Sequence, residues 1–176
     1  MIVSKPLGQC LLALGILLVA CVTPLFAQQG QKSGAPRVEG KVIFGTVTFG
    51  EDIDHTTVGA ALRTYVTKRF SIETEYLYLR NGENDQDHLV QPSVAYDFAD
   101  PAGRLVPYVI GGAGVLHHKG AFFGASNSFT TWTASAGVGA KIFVTKNLFV
   151  SPELRLGREP TIRATINVGY VFGRRG

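Results

Sequence analysis

From Val38 onward, apolar side chains recur at every second position rather than every third or fourth. The chain therefore predicts strands with two unlike faces and no amphipathic helix. The pattern is sharpest at the end. Ile162, Ala164, Ile166, Val168, Tyr170 and Phe172 share one face, and Arg163, Thr165, Asn167 and Gly169 share the other. The two preceding segments repeat it. Leu148, Val150, Pro152, Leu154 and Leu156 oppose Ser151, Glu153, Arg155 and Gly157; Trp132, Ala134, Ala136, Val138, Ala140 and Ile142 oppose Thr131, Thr133, Ser135, Gly137, Gly139 and Lys141. Leu89 to Phe98 sets Val90, Pro92, Val94, Tyr96 and Phe98 against Gln91, Ser93, Ala95 and Asp97. Phe70 to Arg80 sets Phe70, Ile72, Thr74, Tyr76 and Tyr78 against Ser71, Glu73 and Glu75, and Thr57 to Val66 sets Val58, Ala60, Leu62 and Val66 against Gly59, Ala61 and Arg63. Lys41 to Phe49 and the glycine-rich Val106 to His117 also read as strands, but their pattern does not say which face is which. Eight strands result.

The connections alternate in kind. Thr67-Lys68-Arg69 and Thr145-Lys146-Asn147 are tight turns, and Ala99 to Arg104 is a compact Asp-Pro and Gly turn. Gly50 to Thr56, Asn81 to Asp87 and His118 to Asn127 read as longer polar or glycine-rich loops, with Arg158 to Thr161 the short exception. In an up-and-down array this puts every tight turn at one end and the longer loops at the other, the arrangement of barrels that cross an outer membrane.

The residues before the strands set the compartment. Residues 1–27 carry one charge, Lys5, followed by the thirteen-residue apolar run Cys10 to Val22 and the ending Leu25-Phe26-Ala27. A basic start, a short apolar core and a small-residue exit make a secretory signal peptide cleaved between Ala27 and Gln28. The run is short of the roughly 20 residues a spanning helix needs, although uncharged residues continue to Gly30 and leave a retained anchor as an alternative. Leu18-Val19-Ala20-Cys21 also resembles a lipobox, in which Cys21 would be lipidated. Both cysteines, Cys10 and Cys21, lie in this leader, so cleavage after Ala27 removes disulfide and thiol chemistry. Residues 28–37 read as a flexible entry segment, 38–173 as the β-domain and 174–176 as a tail.

Composition decides what the apolar face meets. Charged residues make up 17% of the chain, below the roughly 25% of ordinary soluble domains, and 21 residues are glycine. Mean hydropathy is +0.16. A soluble sandwich or lipocalin-type barrel would need a solvated outer face rich in Lys, Glu and Asp. The face opposite the apolar one is instead Gly, Ala, Ser and Thr with a few charges, which suits a crowded lumen. Aromatic residues gather near the strand ends: Tyr76, Tyr78 and Trp132 toward the longer loops, and Phe70, Tyr96, Phe98, Tyr170 and Phe172 toward the tight turns. Such girdles suit lipid–water boundaries. The formal net charge of +4 falls to +3 once Lys5 leaves, with 16 basic and 13 acidic residues remaining; no Lys/Arg block exceeds two residues, so nucleic acid is not a partner.

Val106-Pro107-Tyr108-Val109 with Gly111-Gly112-Ala113-Gly114, Thr145-Lys146-Asn147-Leu148, and the closing Gly169-Tyr170-Val171-Phe172-Gly173 resemble the small OmpA-type outer-membrane β-barrel family over about Val38 to Gly173. The resemblance implies an all-β, eight-stranded antiparallel transmembrane barrel in the outer membrane of a Gram-negative bacterium. It implies partners too: outer-membrane lipids, and the barrel assembly machinery, which reads an aromatic-ended last strand. Here Gly173-Arg174-Arg175-Gly176 extend past that aromatic, and the peptidoglycan-binding domain of longer relatives is missing, so the resemblance does not imply wall anchoring.

The candidate chemistry lies on the polar face. Arg63, Lys141, Arg155 and Arg163 share it with Glu73, Glu75 and Glu153. In a narrow lumen these charges must pair, because an isolated buried charge costs several kcal/mol. The expectation is a salt-bridged plug; the alternative is a gate or selective pore. Eight strands leave an interior just wide enough for side chains. Glu73 and Glu75 at i, i+2 could do acid/base work, but no cleft or substrate signature accompanies them. His117 and His118 are adjacent and so point to opposite faces of a strand, poor geometry for one metal even with His55 and His88 nearby. No phosphate-loop, dinucleotide, zinc-protease or nucleophile-elbow motif occurs, and no cofactor is implied. His118, Phe122 and Phe123 mark the loop segment best suited to contact a surface partner of unknown identity. The expected function is that of a non-enzymatic outer-membrane barrel with a charge-plugged lumen and a structural or surface-interaction role. The competing readings are a small porin or lipid-modifying enzyme on the same scaffold, or a periplasmic soluble barrel that binds an apolar ligand.

Overall fold

Antiparallel pairing carries the alternation all the way round. β1 (Val38–Phe49), β2 (Ile53–Tyr65), β3 (Phe70–Arg80), β4 (Asp85–Asp97), β5 (Leu105–Phe122), β6 (Ala125–Phe143), β7 (Leu148–Gly157) and β8 (Thr161–Phe172) each pair with their chain neighbours, and β1 pairs β8 to close the barrel. The computed structural model describes residues 37–50, 53–82, 85–100, 103–122, 125–158 and 161–172, without the side chains of residues 53, 85, 121–122 and 125–127. Val38 opposes both Thr64 and Phe172, so the first and last strands begin and end at the same rim.

Exposure settles the question of faces. Val138, Leu156 and Ile166 are more than half exposed, whereas Glu73 is 0% and Arg63 and Arg155 are 1% exposed. A water-soluble fold buries its apolar face and exposes its charges. This barrel does the reverse, as a wall surrounded by hydrocarbon must. The girdle residues Phe70, Tyr76, Tyr96, Phe98, Trp132, Tyr170 and Phe172 all stand on the exposed outer face, and Tyr78 is half-buried on the same face.

The tight turns share one device. In the first, Thr67 Oγ1 accepts from the Phe70 N–H at 2.9 Å, and Val66 N–H donates to Phe70 O at 2.9 Å. In the second, Thr145 Oγ1 accepts from Leu148 N–H at 3.0 Å, and Val144 N–H donates to Leu148 O at 2.9 Å. The shared Val-Thr-Lys lead-in therefore builds one turn twice, the threonine hydroxyl replacing a backbone partner.

Two strands, undecided from their pattern, now have faces. In β1 the odd residues point inward, placing Glu39, Lys41, Ile43 and Val47 in the lumen. In β5 the even residues do, bringing in Val106, Tyr108 and Ile110. One expectation is corrected. His118 to Asn127 is not simply an outer loop: the β5–β6 ladder continues unbroken to Phe122↔Ala125. Serine, asparagine and glycine carry no burial signal above a membrane, yet their backbones pair like any others. Likewise β1 and β2 stay paired to Phe49↔Ile53, and β4 already begins at Asp85. The outward-facing Pro92 and Pro152 open their ladders locally, since proline has no N–H to give, and pairing resumes on either side in the same register.

Candidate functional site in the barrel lumen

Alternation on eight strands points every second side chain at one axis, so residues distant in sequence meet there. Glu73 on β3 lies at the centre. Its carboxylate accepts from Arg63 Nε at 2.6 Å, lies 2.9 Å from Lys41 Nζ, and accepts from Arg155 Nη2 at 3.3 Å. Glu75, one pleat along, is held by Arg163 through both terminal nitrogens at 2.8 and 3.2 Å. Arg155 reaches the same carboxylate at 3.2 and 3.1 Å. This fork geometry is what guanidinium offers and ammonium does not. Glu153 accepts from Arg155 Nε at 2.7 Å and from the Tyr108 hydroxyl at 2.6 Å. Tyr108 in turn lies 2.8 Å from Ser151 Oγ.

A second cluster sits nearer the rim where β1 begins and β8 ends. Lys141 Nζ donates to Asp97 Oδ2 at 2.6 Å and to Glu39 Oε1 at 3.4 Å, and it also bonds the Tyr65 hydroxyl. That hydroxyl lies 2.9 Å from Glu39 and 2.7 Å from Asp97. Arg37 pairs with Glu39 and stacks over the Tyr65 ring at 4.1 Å. Arg63 links the two clusters: its Nη1 is 3.7 Å from Asp97 Oδ1, and its guanidinium lies 4.6 Å over the Tyr108 ring.

All seven lumen charges expected from the sequence, Arg63, Glu73, Glu75, Lys141, Glu153, Arg155 and Arg163, thus stand in one connected set of buried groups. The sequence reading missed Arg37, Glu39, Lys41, Asp97, Tyr65 and Tyr108. Glu39 and Lys41 were hidden by the undecided face of β1, and Tyr108 by that of β5. Asp97 shares the polar face of its strand but was not counted with the charges.

The lumen is also less polar than expected. Toward the outer end Ile43, Val47, Ala61, Leu77, Leu79 and Leu89 form a buried apolar layer with Phe49 and Leu116 against it. At the opposite end Val106, Phe143, Phe149 and Val171 form an apolar cluster beside the second charged one, with Val106 opposite Lys141 and Val171 opposite Glu39. Phe149 lies over Gly169: a Cβ there would come within 2.2 Å of the ring, so the glycine makes room for the aromatic. A cavity of about 40 Å³ remains beside Arg155 and Arg163, lined across from them by Val47, Leu79 and Leu89. It has room for about three waters.

The histidines separate. His118 Nδ1 lies 2.6 Å from Asp87 Oδ1, and His55 Nε2 lies 3.7 Å from the other oxygen, both at the outer end of the lumen. Outside, His88 Nδ1 bonds the Tyr76 hydroxyl at 2.7 Å and His117 Nδ1 bonds Thr130 Oγ1 at 2.8 Å. His118 therefore turns toward the lumen instead of standing on a loop. Phe122 opposes Ala125 in the β5–β6 ladder. Its side chain, Phe123, and the cleavage pair Ala27 and Gln28 lie outside what the structure describes.

Comparison with known proteins agrees with this geometry. No curated protein sequence matches the chain. Among solved structures, the N-terminal β-barrel domain of Pseudomonas aeruginosa OprF superposes with a TM-score of 0.68 at 19% identity, over 80% of this chain and 100% of that one. Neisserial surface protein A gives 0.65 at 11% identity over the same shares. Ail, the attachment invasion locus protein of Yersinia pestis, gives 0.57 at 13%, again over 80% and 100%. At these identities the likeness is one of fold. The profile of the outer membrane protein beta-barrel domain matches residues 14–172. With nearly the whole chain covered, the protein belongs to the outer membrane protein beta-barrel domain family and is a bacterial outer-membrane β-barrel of the small OmpA-like type.

Proposed function

We propose that this barrel is non-enzymatic, that its lumen is closed by the charge network, and that it acts as a structural or surface-interaction protein through its outer end. The observation that carries the reading is the occupation of every carboxylate at the middle of the lumen. Glu73, Glu75 and Glu153 are each held by at least two cations, and both ends of the lumen are packed with apolar side chains. A carboxylate held this way is a poor proton acceptor for a substrate, and the space beside it admits water and little else. The hydrophobic layer at the outer end adds a barrier to hydrated ions. On this reading the working partners are outer-membrane lipids on the wall, the barrel assembly machinery during insertion, and a partner at the cell surface.

Proteoliposome swelling in small sugars tests the closed lumen, and incubation with lipid A and phospholipid tests the absence of hydrolysis. The reading expects swelling no faster than protein-free vesicles and no released fatty acid. Rapid swelling would turn the assignment toward a porin, and fatty-acid release abolished by a lumen substitution would turn it toward an enzyme.

A further inference from the structure

β6 outruns the strand beside it. Its ladder with β5 is continuous from Leu105↔Ile142 to Phe122↔Ala125, whereas its ladder with β7 ends at Ser135↔Gly157. One bond follows on that side, from Arg158 N–H to Ala134 O at 2.8 Å. Past it, residues 125–133 have β5 on one side and, among the described residues, no strand on the other.

The register states which backbone groups face the gap. In an antiparallel ladder successive residues turn their N–H and C=O to opposite neighbours. Phe143 N–H donates to Arg104 O on the β5 side, while Ala134 O accepts from beyond β7. The β5–β6 register has no bulge, so the alternation holds along it: odd residues serve β5 and even residues face away. Ser128, Thr130 and Trp132 therefore aim their N–H and C=O at the open edge, about 7 Å apart. All three side chains are exposed.

Edges of this kind are ordinarily blunted by charge, proline or a bulge. Residues 125–133 contain no charged residue and no proline. Thr130, Thr131, Trp132 and Thr133 instead favour strand. The whole stretch Val115 to Thr133 holds no Asp or Glu; His118 turns inward to Asp87, His117 and Lys119 face out, and on the open side the Arg158 guanidinium lies 3.9 Å over the Trp132 ring. A strand added here meets backbone donors and acceptors at one edge and basic side chains nearby. A second copy of the chain would bring the same basic hairpin against itself. We propose that the open edge of β6 at Ser128, Thr130 and Trp132 takes up an extended, neutral-to-acidic segment of a partner protein as an added strand. The inference rests on the surface-interaction reading above and gives it a place and a chemistry.

The test uses the full barrel in nanodiscs and a short fluorescein-labelled peptide alternating valine with threonine and glutamate, with a lysine-for-glutamate peptide as control. Anisotropy should show saturable binding of the acidic peptide and at least about tenfold weaker binding of the basic one. Amide exchange should slow at Ser128, Thr130 and Trp132 when peptide is added, with Phe129 and Thr131, already bonded to β5, little changed. Ser128→Pro and Thr130→Pro remove an N–H from the open edge alone and should weaken binding at least about tenfold, while Ser128→Ala, which keeps the backbone donor, should bind like wild type. Proline variants that bind as well as wild type, or protection that rises elsewhere, would overturn the proposal. So would a concentration-dependent dimer that Ser128→Pro abolishes, because it would assign the edge to a second copy. A leaking barrel would defeat the closed-lumen reading and leave the peptide titration standing; a closed barrel that ignores the peptide would defeat this inference alone.

Discussion

Glu73 touches Arg63, Lys41 and Arg155 while being wholly withdrawn from solvent. Buried ion pairs are weak contributors to net stability, yet removing one partner strands the others, typically at about 3–5 kcal/mol. Glu73→Ala and Arg155→Ala should therefore lower the temperature at which the folded gel band shifts to the unfolded position, well below the small change expected of the exposed Lys119→Ala. Equal shifts at all three would contradict the network. Gly169 offers a steric test of the same interior. A methyl group there would meet the Phe149 ring, and overpacking of this kind costs about 1–3 kcal/mol. Gly169→Ala should destabilise the barrel in the same assay, and adding Phe149→Leu should restore part of the loss; a Gly169→Ala barrel as stable as wild type would deny the contact.

At the scale of the strand, legibility followed the contrast between faces. β8 was readable because Arg163, Thr165 and Asn167 face inward while Ile162, Ile166 and Val168 face out. β1 was not, because Ile43 and Val47 join the lumen's apolar layer while Val42 and Phe44 meet lipid, so both faces look alike. β5 fails for the same reason, with Val106 and Ile110 inward and Leu105 and Val109 outward. The extension of the β5–β6 hairpin left no periodic trace, since above the membrane neither face has to be apolar. For β8 the assignment yields a paired measurement. Val168→Arg puts a charge on the lipid face and should cost about 2–4 kcal/mol near the bilayer midplane, whereas Asn167→Ser trades one small polar lumen group for another and should be far milder. Urea unfolding in lipid vesicles reads both, and equal tolerance would contradict the register.

Over the whole molecule, the lumen has an apolar layer at the outer end, connected charges through the middle, and, toward the rim where β1 begins and β8 ends, an apolar cluster side by side with the second charged one. The charged layer could be read in outline from the sequence, because inward charges on β2, β3, β6, β7 and β8 stand out against Gly, Ser and Thr. The apolar layer and cluster could not, because an inward Leu or Phe looks like an outward one until the register is known. The layering makes a closed barrel the central claim, and single-channel recording in planar bilayers tests it most directly. Wild-type protein should leave the membrane at its bare conductance, with at most brief, irregular openings. Long-lived, ion-selective channels of uniform size, lost on substitution of Arg155 or Glu73, would contradict it.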